Sequence, residues 1–159
     1  MRGGYKIIAF EPDEENFNSL LRNHPEINAI KSGVWKEDGE LIFSQDGSSS
    51  ASFAEAGKTV DSYTEKTAIR IPVKCLDHVE ECKNATFIKM DIEGSEYNAI
   101  LGAQNIIRLN RPKLAICIYH SDEDMLRLIE LIHGMVPEYH LYVRQHSNSV
   151  YETVLYAIC

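Results

Sequence analysis

The chain has 159 residues, with 16 Lys and Arg against 24 Asp and Glu for a formal net charge of -8, and 44% of its residues are hydrophobic. A soluble domain of this size buries roughly 68–70% of its unfolded surface, so its core needs neither disulfides nor a structural metal. An acidic chain also argues against nucleic-acid or anionic-membrane partners, which are bound through clustered Lys and Arg.

In chain order, Tyr5 to Phe10 reads as a compact apolar strand ending in Glu11-Pro12. Asp13 then opens a helix whose Phe17, Leu20 and Leu21 follow i, i+3, i+4 spacing, and His24-Pro25 closes it. Ile27 to Val34 reads as a second strand and Leu41 to Phe43 as a third, with Asp38-Gly39 as the turn signal between them. Asp46 to Ser52, rich in Ser and Gly, reads as a loop. Ile69, Ile71 and Val73 alternate with Arg70, Pro72 and Lys74, which predicts a half-exposed strand near a sheet edge, since Pro72 donates no ladder bond.

The second half is more regular. Thr86 to Met90 reads as a strand, and Ser95 to Leu109 as one helix with Tyr97, Ile100, Leu101 and Ile107 on its apolar stripe. Arg111-Pro112 ends that helix, and Leu114 to Tyr119 is a fully apolar strand. Ser121 to Asp124 resembles a capping box, followed by a helix with Met125, Leu128, Ile129 and Ile132 toward the core. Tyr139 to Arg144 and Val150 to Ile158 form an antiparallel hairpin, because the join between them is too short for a crossover. Short strands alternating with helical patterns predict an α/β sheet with crossover helices in a single domain spanning residues 1–159.

Cys75, Cys82, Cys117 and Cys159 show no CxxC spacing or zinc rhythm. Met1 to Tyr5 shows no apolar signal core, and the longest pure apolar run, Leu114 to Tyr119, is far below a membrane span of ~20 residues. Reduced thiols and a cytoplasmic location are expected, with no membrane partner.

Ligands of open α/β sheets sit at the carboxyl ends of parallel strands. Three such ends carry polar groups. Glu11 follows the first strand, where a carboxylate can accept from both hydroxyls of a nucleotide ribose or merely cap the next helix. The second is Phe87 to Glu96. Period-2 geometry puts Phe87, Lys89 and Asp91 on one face and Ile88 and Met90 on the other, with Glu93 and Glu96 in the turn and first helical turn. The helix dipole accounts for Glu96. Asp91 can bind a divalent cation, orient a substrate hydroxyl or accept its proton. Lys89 is either a buried charge held by a carboxylate or a functional group. The third end delivers His120, a general base or a satisfied histidine at a helix start. The clustered acids permit a metal without requiring one.

These residues resemble the FkbM-type S-adenosylmethionine-dependent methyltransferases. The resemblance runs from Ile8-Ala9-Phe10-Glu11-Pro12 through Gly33-Val34-Trp35, Asp38-Gly39-Glu40 and Leu76-Asp77. It is strongest over Phe87 to Glu96 and continues into Ile100-Leu101-Gly102-Ala103 and Arg111-Pro112. It implies a Rossmann-like class I methyltransferase sheet, mostly parallel with an antiparallel C-terminal hairpin, that transfers a methyl group to a hydroxyl of a small molecule or saccharide. The resemblance makes Glu11 the ribose ligand of S-adenosylmethionine, sets Asp91 and Glu93 at the edge of the cofactor and acceptor site, and makes Asp38 a candidate near the adenine. Asp91 or His120 would take the hydroxyl proton, beside Lys89.

Complete members of that family start with a strand and a glycine-rich turn ahead of the strand ending at Glu11. Here only Met1 to Gly4 precede it, so the first βα unit is expected to be missing and these 159 residues to bind the cofactor weakly or not at all. An extended chain would bind it through Glu11. The competing expectation is a non-catalytic module of the same fold, with its open strands covered by another chain, such as a second copy. A nicotinamide-binding domain is a third reading, drawn from the strand-end acid alone.

Overall fold

A computed structural model describes residues 5–44, 52–54, 68–120, 122–148 and 151–159. The chain begins with β1 (Ile8–Phe10), α1 (Glu14–Asn23) and β2 (Asn28–Ile30), and β1 pairs with β2 in parallel. The Asp13 carboxylate caps α1 by accepting from the Asn16 N–H at 2.9 Å.

Ile27 to Val34 is not one strand. The chain turns at Lys31-Ser32 and enters a second sheet as β3 (Gly33–Val34). The buried Ser32 hydroxyl holds the switch, with both the Gly33 and the Pro72 carbonyl oxygens 2.9 Å away. That sheet contains β4 (Gly39–Ser44), β5 (Ser52–Ala54) and β6 (Ala68–Lys74), in the order β3-β6-β4-β5. Hence the strand carrying Pro72 is interior and not at an edge. Proline is accommodated because β3 pairs only with Val73 and Lys74, leaving the Pro72 position a ladder partner on the β4 side alone. The predicted alternation holds: Ile71 and Val73 are buried, whereas Arg70, Pro72 and Lys74 are exposed. The Asp46 to Ser52 loop lies outside the described residues except for Ser52, which opens β5.

The third sheet has the order β7-β8-β10-β9, built from β7 (Phe87–Met90), β8 (Lys113–Cys117), β9 (His140–Gln145) and β10 (Thr153–Ile158). β7 and β8 run parallel, and β10 is antiparallel to both β8 and β9, as the C-terminal hairpin requires. The α/β class is thus borne out with mixed sheets. Among the described residues β1 pairs only with β2, and β7 only with β8, so each presents an unpaired edge.

The expected single helix from Ser95 to Leu109 is two: α2 (Glu96–Leu101) and α3 (Gln104–Asn110). The interruption is imposed from outside. A Cβ on Gly102 would overlap the Trp35 carbonyl oxygen and come within 3.1 Å of the Lys36 Cα. The Gly102 carbonyl accepts instead from the Asp77 N–H at 2.8 Å and the Cys75 thiol at 3.1 Å. Asp77 completes the join by accepting from the Asn105 and Ile106 N–H groups, both at 2.9 Å, which caps α3 from a distant segment.

The last helix, α4 (Asp122–Met135), packs on α2 and α3. Its Leu128 and Ile132 enter the core with Ile100, Ile107, Ile116 and Leu155, but Met125 is exposed one turn earlier. Full burial of a side chain such as Ile116 contributes roughly 1.5–3 kcal/mol. Ile8, Phe10 and Ile30 pack against this same core, which ties the β1-β2 pair to the larger sheet without strand pairing.

Candidate functional site at the strand ends

The register of β7 on β8 sets Met90 opposite Ile116, so Asp91 and Cys117 stand at neighbouring strand ends. Beyond them both chains change direction. Glu93 and Gly94 take positive φ values of 54° and 87°, the left-handed region that a glutamate rarely occupies, and this turn leads into α2. Beyond β8 the chain continues through Ile118 and Tyr119 to His120.

These turns surround one imidazole with three carboxylates. His120 Nδ1 lies 3.1 Å from Glu96 Oε1, and its Nε2 lies 3.5 Å from Glu93 Oε2 and 3.6 Å from Asp91 Oδ1. The His120 side chain is only 9% exposed, yet neither of its ring nitrogens makes a hydrogen bond. Tyr119 stacks obliquely on it, with ring centroids 4.1 Å apart, and donates its hydroxyl to Asp91 Oδ1 at 3.0 Å.

Burial pushes the Asp91 carboxyl up, but the Tyr119 hydroxyl and the Lys89 charge outweigh it and hold the group below the usual aspartate range. Asp91 is therefore an ionised anchor at neutral pH and a weak proton acceptor. The same neighbourhood raises its partners. Burial, followed by the Asp91 charge, pushes the Cys117 thiol up to about 12, and burial with the Asp91 hydrogen bond raises the Tyr119 hydroxyl.

The buried-charge expectation for Lys89 does not hold. Its side chain is 61% exposed, on the open face of β7 with Phe87, and its Nζ lies 3.5 Å from Asp91 Oδ2. The predicted face partition is otherwise correct, with Met90 buried on the other side.

Glu11 follows β1, and its Oε1 accepts from the Asp13 N–H at 2.9 Å. It therefore does not cap α1 itself but is oriented by the residue that does. Asp38 belongs to a different constellation: Oδ1 accepts from the Cys75 N–H and Oδ2 faces His78 Nδ1, both at 2.9 Å. The Cys75 amide and then the His78 ring lower its pKa. It lines an open cavity with Trp35, Leu41 and Val73. The structure thus unites Lys89, Asp91, Glu93 and His120, while Glu11 and Asp38 stand in separate hydrogen-bonding groups.

Sequence reasoning missed two members of the cluster. Glu96, explained from sequence by the helix dipole, is fully buried and accepts from the Ile92 N–H at 2.8 Å. Tyr119 was visible only as the end of an apolar strand. Its place two residues beyond Cys117, whose neighbour across the sheet is Asp91, is the signal that would have found it.

No curated protein matches the chain. A crystal structure of Methyltransferase FkbM from Methylobacillus flagellatus KT is similar to it, with 28% sequence identity and a TM-score of 0.72; the match covers 96% of this chain and 36% of that one. The chain therefore spans little more than a third of the length of that relative. The family model described as Methyltransferase FkbM domain matches residues 1–148, and the chain belongs to that methyltransferase family.

Proposed function

We infer that the strand ends carry S-adenosylmethionine-dependent methyl transfer to a hydroxyl of a small molecule or saccharide. The observation that carries this reading is the meeting of Asp91 and His120 at the ends of parallel neighbours β7 and β8, within a chain of a methyltransferase family. Strand ends of this kind are where open α/β sheets bind ligands.

Glu11 is the ribose ligand in this reading. Its Oε1 contact with Asp13 orients the carboxylate, and carboxylate oxygens accept from vicinal hydroxyls. S-adenosylmethionine supplies an electrophilic methyl group when bound. The chain's own task is to hold the acceptor oxygen in line with that methyl, a positioning effect of the kind that supplies much of a barrier reduction. Asp91, kept ionised by Tyr119 and Lys89, accepts a hydrogen bond from the acceptor hydroxyl and orients it. His120 Nε2, on the side of Asp91 and Glu93, is the better placed proton acceptor. Asp38, with both oxygens engaged, serves at most as a neighbour of the adenine through the cavity at Trp35.

A second reading, a non-catalytic association module, is favoured by the edges of β1 and β7 that are unpaired among the described residues, with Tyr5, Ile7 and Phe87 exposed near them.

Saturation-transfer difference NMR separates the two, because it reads millimolar as well as micromolar binding. The methyltransferase reading predicts saturation of the ribose and adenine protons of S-adenosylmethionine by the chain and its loss in Glu11→Ala. Unchanged saturation in that variant would overturn the ribose assignment, and no saturation in the unmodified chain would favour the association module.

A further inference from the structure

His120 faces carboxylates on both sides of its ring, but at unequal distances. Glu96 Oε1 lies 3.1 Å from Nδ1, whereas Nε2 lies 3.5 Å from Glu93 Oε2 and 3.6 Å from Asp91 Oδ1. Only the first separation falls within the range of about 2.7–3.2 Å for an N–H donated to oxygen. The Ile92 N–H, which donates to the same Oε1 at 2.8 Å, marks that atom as an acceptor with a second lone pair to offer, since the hydroxyl of a carboxylic acid accepts poorly. Two acceptor atoms held at 3.1 Å would repel each other, so the proton between them belongs to Nδ1. A neutral imidazole carries one proton, which leaves Nε2 bare. The longer distances to Asp91 and Glu93 are those of a lone pair standing off two carboxylates, not of a donor bonded to either.

Burial gives the contact its weight. Glu96 is fully buried and the His120 side chain more than nine-tenths so, and polar groups removed from water must find partners in the protein. Glu96 is anchored by the main chain at Ile92, and the imidazole is held on its flank by the Tyr119 ring, whose hydroxyl is donated to Asp91. The 3.1 Å contact is not aligned as a hydrogen bond. Such looseness is common in catalytic pairs, which tighten as the reacting complex forms.

We propose that Glu96 is a positioning residue of the site: it accepts the His120 Nδ1 proton, fixes the tautomer whose Nε2 is bare, and so makes that nitrogen the base for the acceptor hydroxyl. The inference rests on the methyl-transfer reading for the identity of the proton donor, whereas the tautomer exists without it. As the hydroxyl O–H bond breaks, its proton passes to Nε2 and its electron pair stays on oxygen. That oxygen bonds to the methyl carbon while the carbon–sulfur bond breaks with its electrons left on sulfur. The positive charge lost by the sulfonium reappears on the imidazolium, which Glu96 faces at Nδ1 and Asp91 and Glu93 face at Nε2. A buried carboxylate behind an imidazole both orients the ring and stabilises its cation. The three acids thus divide the work. Asp91 and Glu93 are open to the substrate side, while the fully buried Glu96 acts through the ring alone.

The test is proton–nitrogen correlation NMR of the isotope-labelled chain, with neither S-adenosylmethionine nor acceptor present, at a pH well above the ordinary histidine pKa of about 6.5. The His120 ring is assigned by the loss of its signals in His120→Gln. A pyrrole-type Nδ1 and a pyridine-type Nε2 are expected, the less common of the two neutral tautomers. Glu96→Ala returns the proton to Nε2. Glu96→Gln, whose carbonyl oxygen still serves the Ile92 N–H and so protects the fold, keeps the tautomer but moves the Nδ1 proton upfield, because a neutral acceptor makes a weaker bond than a carboxylate. A Glu96 that serves Ile92 alone would leave the His120 ring indifferent to both changes. A proton on Nε2 in the unmodified chain, protons on both nitrogens at that pH, or an Nδ1 proton unmoved by Glu96→Gln would overturn the proposal. None of these results bears on the Glu11→Ala test, so the role of Glu96 and the cofactor reading fail separately.

Discussion

Removing the fully buried Glu96 carboxylate strips the half-buried Ile92 N–H of its acceptor. Leaving a buried donor unsatisfied costs about 1–3 kcal/mol, so Glu96→Ala should lower the urea midpoint by a corresponding amount, while Glu96→Gln, which keeps an acceptor oxygen, should lose less. Asp38 allows a test by pH. Its folded carboxyl titrates below the ordinary value because the Cys75 amide and His78 ring favour the charged form. Its contribution is therefore complete above the unfolded pKa of about 3.9 and is lost as pH falls through the lowered folded pKa. Asp38→Asn should cost less than about 1 kcal/mol at neutral pH, given the exposure of the pair. Denaturation curves of the two proteins across the acid range should converge at the low end; a gap that widens there would contradict the assignment. Alternation along β7 made the exposed face of Lys89 and Asp91 legible, but not the burial of Glu96, which depends on a ring delivered from the far end of β8.

The break between α2 and α3 shows where element reading stops. The stripe from Tyr97 to Ile107 is helical throughout, and only the approach of the Trp35 backbone and the cap from Asp77 divide it. Gly102→Ala should destabilise by about 1–3 kcal/mol by overpacking, read as a fall in the thermal midpoint. Asp77→Ala should cost about 1–2 kcal/mol through the lost cap, with faster amide exchange confined to the first turn of α3. Equal exchange along the whole of α3 would point to a packing defect instead. The same long-range cause hid the sheet switch at Lys31-Ser32, where Ser32 meets Pro72 across 40 residues of sequence. Local patterns located nearly every strand and helix, whereas the partners that cut or redirect them lie far along the chain.

At the scale of the molecule, the proposed function assigns one task to strand ends from two sheets. β1 ends in Glu11, β7 and β8 end in the cluster around His120, and the two sheets share one apolar core without sharing a strand pair. Family membership and the fold match show a methyltransferase-family chain; that its cofactor reaches both ends belongs to the proposal. Among the described residues, no helix is long and apolar enough to cross a membrane. The most direct measurement is hydrogen–deuterium exchange with millimolar S-adenosylmethionine, resolved to peptides around Glu11 and around Asp91 to Glu96. Slower exchange at both strand ends, abolished together by Glu11→Ala, is the predicted result; protection at neither end, or only in the segment around Trp35 to Leu41, would contradict it.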